Sequence, residues 1–191
     1  MVEISKGLAS IGPSSNAGYF VRWVNPLPGR DLAIRFLTEE DEVHIADSHE
    51  FHLCQDGIRR SFVCAAQDRP CQLCAHSESP EPHGWASVLT GEVAGSGRFV
   101  EDDDGAGVLK LPMRFWELAR TPASQFGTLR DRAFVIKKME GQRTYTLRQA
   151  GEPFSKPTIG VPAHLPSLQT LINWYASESW YGKHLGIGNR T

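Results

Sequence analysis

The sequence predicts a mainly β (α+β) chain, a five-stranded barrel with a zinc-binding insertion and a C-terminal helix. Three observations lead there. β-favouring runs of about six residues recur between Asp31 and Ala150, separated by Gly and acidic turns. One helical segment falls between the third strand group and the last hairpin. All four cysteines crowd between Cys54 and Cys74 and end in a Cys-x-x-Cys knuckle.

The elements follow in chain order. Residues 1–30 read as an N-terminal arm, with a Gly, Pro and Ser stretch at Ser10 to Asn16 and two prolines between Asn25 and Gly29. Between these, Tyr19 to Val24 is a short strand or a packing segment. Residues 31–150 form the core. Leu32 to Leu37 opens it as a strand, an acidic turn follows at Glu39 to Glu42, and the zinc subdomain occupies about 49–85 with a hairpin turn at Gly57. Trp85 to Thr90 and Val108 to Leu111 pair across a Gly-rich loop whose acidic run, Glu101 to Asp104, reads as a solvated hairpin tip. Met113 to Leu129 is helical. Ala133 to Lys138 and Arg143 to Arg148 form a hairpin around Glu140-Gly141. Residues 151–191 are a Pro-rich extension, after which Ser167 caps a helix running to about Tyr181 on a stripe of Leu168, Leu171, Ile172 and Tyr175. Strands in this order with a helix before the last hairpin suggest a small barrel of the OB type.

The cysteine cluster says zinc. A tetrahedral ion needs four ligands, and Cys71-Gln72-Leu73-Cys74 supplies two converging thiolates. Cys64 adds a third across a short loop. His52 and Cys54 compete for the fourth place, since residues two apart in a strand share a face. His44, His49, His76 and His83 read as surface histidines in polar loops. Other chemistries fit less well. Disulfides need an oxidising compartment, and Met1 to Gly12 has no signal-peptide pattern. The Pro70-Cys71-Gln72-Leu73-Cys74 run matches half of a deaminase signature, but the His-x-Glu half is missing. Gly95-Ser96-Gly97 lacks the context of a phosphate loop, so nothing in the sequence argues for an enzyme.

Composition bounds the rest. With 191 residues, 40% hydrophobic, the chain fills one core and a small appendage. No run approaches the length of a membrane span. A net charge of -2 means that nucleic-acid binding would depend on local patches. Such a patch is present: Arg59 and Arg60 beside the cysteines, and Arg130, Arg132, Lys137, Lys138, Arg143 and Arg148 around the last hairpin. The plainer reading of these residues is a solvated sheet face. Tyr145 and Trp85 are the aromatic candidates for base stacking; Tyr145 can stack or simply pack, and Trp85, as a large apolar residue, is more often core.

The run His52, Cys64, Cys71, Cys74, written H-x11-C-x6-C-x2-C, resembles the zinc subdomain of the T-even phage single-stranded-DNA-binding (helix-destabilising) proteins. Gly127-Thr128-Leu129, Arg132 to Lys137 and Arg143 to Leu147 resemble that family's late strands, so the likeness covers roughly Asp31 to Ala150. It implies an OB fold, a structural Zn2+ with His52 as the favoured fourth ligand, and sequence-tolerant binding of single-stranded DNA. It also implies a place in phage replication, recombination or repair in the cytoplasm of the bacterial host, with other replication proteins as partners. The chain departs from that pattern in having only Lys6 as a cation among its first dozen residues and no acidic run at Gly186 to Thr191. The alternative from another class is a zinc-stabilised protein-interaction module, with Trp174, Tyr175, Trp180 and Tyr181 as its contact surface.

Overall fold

A computed structural model describes residues 21–51, 60–64, 71–75, 79–130, 132–142, 144–151, 154, 161–163 and 165–176, with backbone alone at 50–51, 60–61, 72 and 75. Eight strands and two helices are present: β1 (Trp23–Val24), β2 (Asp31–Phe36), β3 (His44–Phe51), β4 (Arg60–Val63), β5 (Glu81–Val93), β6 (Phe99–Pro112), α1 (Met113–Phe126), β7 (Ala133–Lys138), β8 (Tyr145–Ala150) and α2 (Leu168–Tyr175). Six strands follow the order β1-β6-β5-β2-β7-β8, and β3 with β4 lies off that path. The pairing is mixed: β2 runs antiparallel to β5 and β7, β7 antiparallel to β8, and β1 parallel to β6.

The expected mainly β architecture is therefore present, but in place of a five-stranded barrel the described residues form an eight-stranded mixed sheet that is not closed into a barrel. Among the described residues no ladder joins the two ends of the strand order. The chain clusters into two units, one made of residues 1–44 and 84–166, the other of 45–83 and 167–191.

In the first unit, period-two alternation along β2 and β7 sends Leu32, Ile34, Phe36, Phe134 and Ile136 to one face, where they are fully or nearly buried. α1 supplies the other side of this core through Phe115, Trp116, Ala119 and Ala123, a helical stripe that packs with Leu109, Leu111 and Leu129. Tyr145 and Leu147 of β8 border the same cluster. The Trp116 indole donates to the Leu111 carbonyl at 3.1 Å and lies over Gly84, where any Cβ would overlap the ring. α1 keeps Pro122 in its interior and stops at Gly127, whose φ of 75° is the left-handed cap that favours glycine. It is thus shorter than the expected run to Leu129. Glu39 fixes the following loop: its carboxylate accepts from the Thr128 hydroxyl and, at 2.8 Å, from the Leu129 amide.

The opposite face of the sheet is half covered. Arg35, only 3% exposed, donates to the Arg130 carbonyl at 3.1 Å, lies 3.7 Å from Glu101, and carries the Phe154 ring 3.9 Å from its guanidinium carbon. Phe154 also meets Phe99, in a small cluster with Ala133, Val135 and Ala150. The acidic run Glu101 to Asp104 belongs to strand β6 and not to a hairpin tip. β5 and β6 extend to 13 and 14 residues, so the turn shrinks to Ala94 through Arg98, with Gly97 at φ 79°. Asp102 pairs with Arg22 at 3.7 Å and accepts from the Thr90 hydroxyl.

In the second unit, Phe62 of β4 and Leu73 of the 72–75 turn are fully buried side chains, and α2 contributes Leu168, Leu171 and Tyr175. Ser167 caps α2 as expected, accepting from the Thr170 amide at 3.1 Å. The predicted continuation of this helix toward Tyr181 lies outside the described residues.

Candidate metal centre

The β3–β4 register decides which residues meet. Ser48 stands opposite Val63 and His49 opposite Phe62, and the next step of the ladder brings the Cys64 amide to the Asp47 carbonyl at 2.7 Å. Asp47 and His49 share a strand face, so His49 and Cys64 are diagonal neighbours on that face. The knuckle closes from below: the Cys74 amide donates to the Cys71 carbonyl at 3.2 Å, and residues 72–75 make a single 3-10 turn.

Four ligand atoms converge in consequence. His49, Cys64, Cys71 and Cys74 place one donor each within 4.8 Å of one another. Cys64 Sγ and Cys74 Sγ are 3.6 Å apart, and His49 Nε2 lies 3.5 Å from Cys71 Sγ and 3.7 Å from Cys74 Sγ. A tetrahedral zinc ion with ordinary bond lengths requires about 3.8 Å between two thiolates and about 3.6 Å between a thiolate and an imidazole nitrogen. The donor set and its edges fit zinc. Among the described residues Cys64, Cys71 and Cys74 are free thiols, and the 3.6 Å between Cys64 and Cys74 is far beyond the roughly 2.05 Å of bonded sulfurs. His49, Cys64 and Cys71 are buried while Cys74 reaches solvent, so an ion held here would be shielded on three sides.

His49 is thus not the surface histidine in a polar loop that the sequence suggested: it is 1% exposed on a strand. His52 and Cys54, the two competitors for the fourth place, lie outside the described residues. Cys64, Cys71 and Cys74 come together as the sequence proposed. His83 is also buried, with Nδ1 donating to the Glu81 carbonyl at 2.9 Å.

The residues singled out for nucleic acid are distributed differently. Trp85 is 1% exposed, edge-on to Trp23 at 5.4 Å, with Lys110 5.4 Å from its ring; a ring so enclosed has no face for a base. Tyr145 faces the core and meets the Phe115 ring at 5.8 Å. Arg130 is engaged by Glu39 at 3.7 Å and by Glu42, and Arg132 stacks 4.0 Å from the Phe126 ring. Lys137 and Arg148 stand on the open face and share Asp31, at 3.8 and 3.2 Å. Lys138 makes no ion pair among the described residues. Arg59 and Arg143 lie outside the described residues, as does the side chain of Arg60. No helix of the described chain is long and apolar enough to cross a membrane.

Scans against family models, curated proteins and solved structures return no match to this chain.

Proposed function

We propose that this chain is a sequence-tolerant single-stranded-DNA-binding protein whose metal centre is a structural zinc site. The observation that carries the reading is the strand order β6-β5-β2-β7-β8, with α1 inserted between β6 and β7. Taken as third, second, first, fourth and fifth strands, these have the succession of an OB-type barrel, a fold that is often partly open and that binds oligonucleotides. The cysteine-bearing segment falls between the first and second of those strands, and the resemblance to the T-even phage helix-destabilising proteins supplies the rest. Its setting would be phage DNA replication, recombination or repair in the bacterial host cytoplasm, alongside other replication proteins.

Zinc in this reading does no chemistry on DNA. It holds the knuckle, a segment with few apolar residues, and structural zinc supplies about 10 to 16 kcal/mol of apparent folding free energy in small domains. His49, Cys64, Cys71 and Cys74 would hold it.

The test is fluorescence anisotropy of a labelled oligo-dT and a matching duplex with zinc-loaded protein at two salt concentrations. The expected result is binding to the single strand alone, weakening with salt at a log-log slope of about -0.7 per phosphate contacted. No binding at low salt by metal-loaded protein would overturn the reading and favour the zinc-stabilised interaction module. Against that module stands Tyr175, one of its proposed contact residues, which is buried in the second unit.

A further inference from the structure

The open half of the first unit's outer sheet face holds a groove of ≈ 450 Å³, within the range of small-ligand sites. Its floor is one cross-strand row. Gly91 of β5 is in register with Ala33 of β2, Ala33 with Val135 of β7, and Val135 with Arg148 of β8. At Gly91 the Phe99 ring and the Val100 carbonyl fill the space a side chain would take, and the row is low at Ala33. Phe154 lies over Arg35 of the adjacent row, and both it and Ala33 pack on the Phe99, Ala133, Val135 and Ala150 cluster, so Val135 is covered while Ala33 stays half-buried.

Two cations, Arg30 and Arg148, line the groove together with two acids, Asp31 and Glu92. Arg30, exposed at the entry to β2, makes no ion pair among the described residues. Arg148 and Lys137 both turn to Asp31, which is half exposed, so a single carboxylate holds two cations at the groove's edge. An apolar floor with an uncommitted guanidinium and two cations on a shared, solvent-exposed carboxylate fits a ligand that is flat and apolar on one side and anionic on the other. A nucleotide of a single strand has that form.

Resting on the function proposed above, we infer that this groove seats one nucleotide of the bound strand, its base on the half-buried Ala33 and its flanking phosphates on Arg30 and Arg148. Asp31 occupies the phosphate position in the free protein. Phosphate entry takes Arg148 and Lys137 from it, so Asp31 weakens binding while it keeps the cations in place.

The test uses full-length, metal-loaded protein and oligo-dT anisotropy, with zinc content and circular dichroism as checks on folding. Arg30→Ala and Arg148→Ala are expected to weaken binding about 5- to 10-fold at low salt and each to shallow the salt slope by about 0.7. Ala33→Leu, which fills the floor without changing charge, should weaken binding with the slope unchanged. Asp31→Asn should tighten binding several-fold, a direction that a merely structural role of the ion pair does not produce. Arg120→Ala, on α1 and paired with Glu40, is the control. If wild-type protein binds and these four variants bind equally well, the groove assignment is overturned and the function stands. If wild-type protein does not bind, the function itself falls and the groove assignment with it.

Discussion

His49 shows how a candidate ligand hides in a sequence. Its neighbours Ser48 and Glu50 are polar, and nothing in its spacing to Cys64 distinguishes it from His52, three positions on. What selects it is the register of β3 against β4, and register depends on the geometry of the connecting turn, which composition does not encode. The knuckle was legible because its two thiolates are brought together by local chain geometry alone. Replacing His49 by Ala is expected to drop the bound metal well below one ion per chain and to lower the melting temperature, as Cys71→Ser should. His52→Ala should leave both nearly unchanged. Metal analysis after gel filtration, with thermal unfolding of the same samples, distinguishes the two histidines. Acid should release the metal as well, because protons compete for the thiolates and the imidazole. Trp85 makes the complementary point: its position beside the cysteines made it a stacking candidate, but on the long strand β5 it fills the core, the commoner fate of a side chain of that size.

At the level of elements, periodicity served well where one face of a strand is buried and failed where two strands support each other. β2, β7 and β8 were legible because alternating Leu, Ile and Phe residues mark their inward faces. The outer portions of β5 and β6 were not, since Glu101 to Asp104 carries no apolar signal. These residues are held in the strand by pairing and by Arg22, Arg35 and Thr90. α1 ended early for a local reason, the left-handed Gly127. Two glycines separate the forces at work here. Gly127→Ala meets open space and should cost about 1 kcal/mol, from its backbone conformation alone. Gly84→Ala drives a methyl into the Trp116 indole and should cost about 3 kcal/mol. Urea denaturation of both variants checks the ranking, and equal costs would contradict the close packing of Trp116 on β5.

On the scale of the whole molecule, the two units draw their stability from different sources. The first has the larger apolar core, built on α1 and the inward faces of its strands. Among the described residues the second has fewer buried apolar side chains, so a metal held at its His49, Cys64, Cys71 and Cys74 cluster would contribute more there. Chelation should therefore raise amide exchange across 45–83 and 167–176 while leaving β2, β7 and α1 protected, measured by hydrogen-exchange mass spectrometry. Uniform loss of protection would show a single cooperative unit. The second unit is also discontinuous, with β4 at Arg60–Val63 and α2 at Leu168–Tyr175. On the ribosome, the three thiolates and His49 therefore emerge long before α2 has been synthesised. Metal capture need not wait for the helix, but full retention does: a chain halted at Pro166 should still take up one ion and surrender it to a competing chelator faster than the full chain. An ion held by these four residues would thus act as an early clasp in biosynthesis, closing a local loop cheaply before the long-range partner arrives.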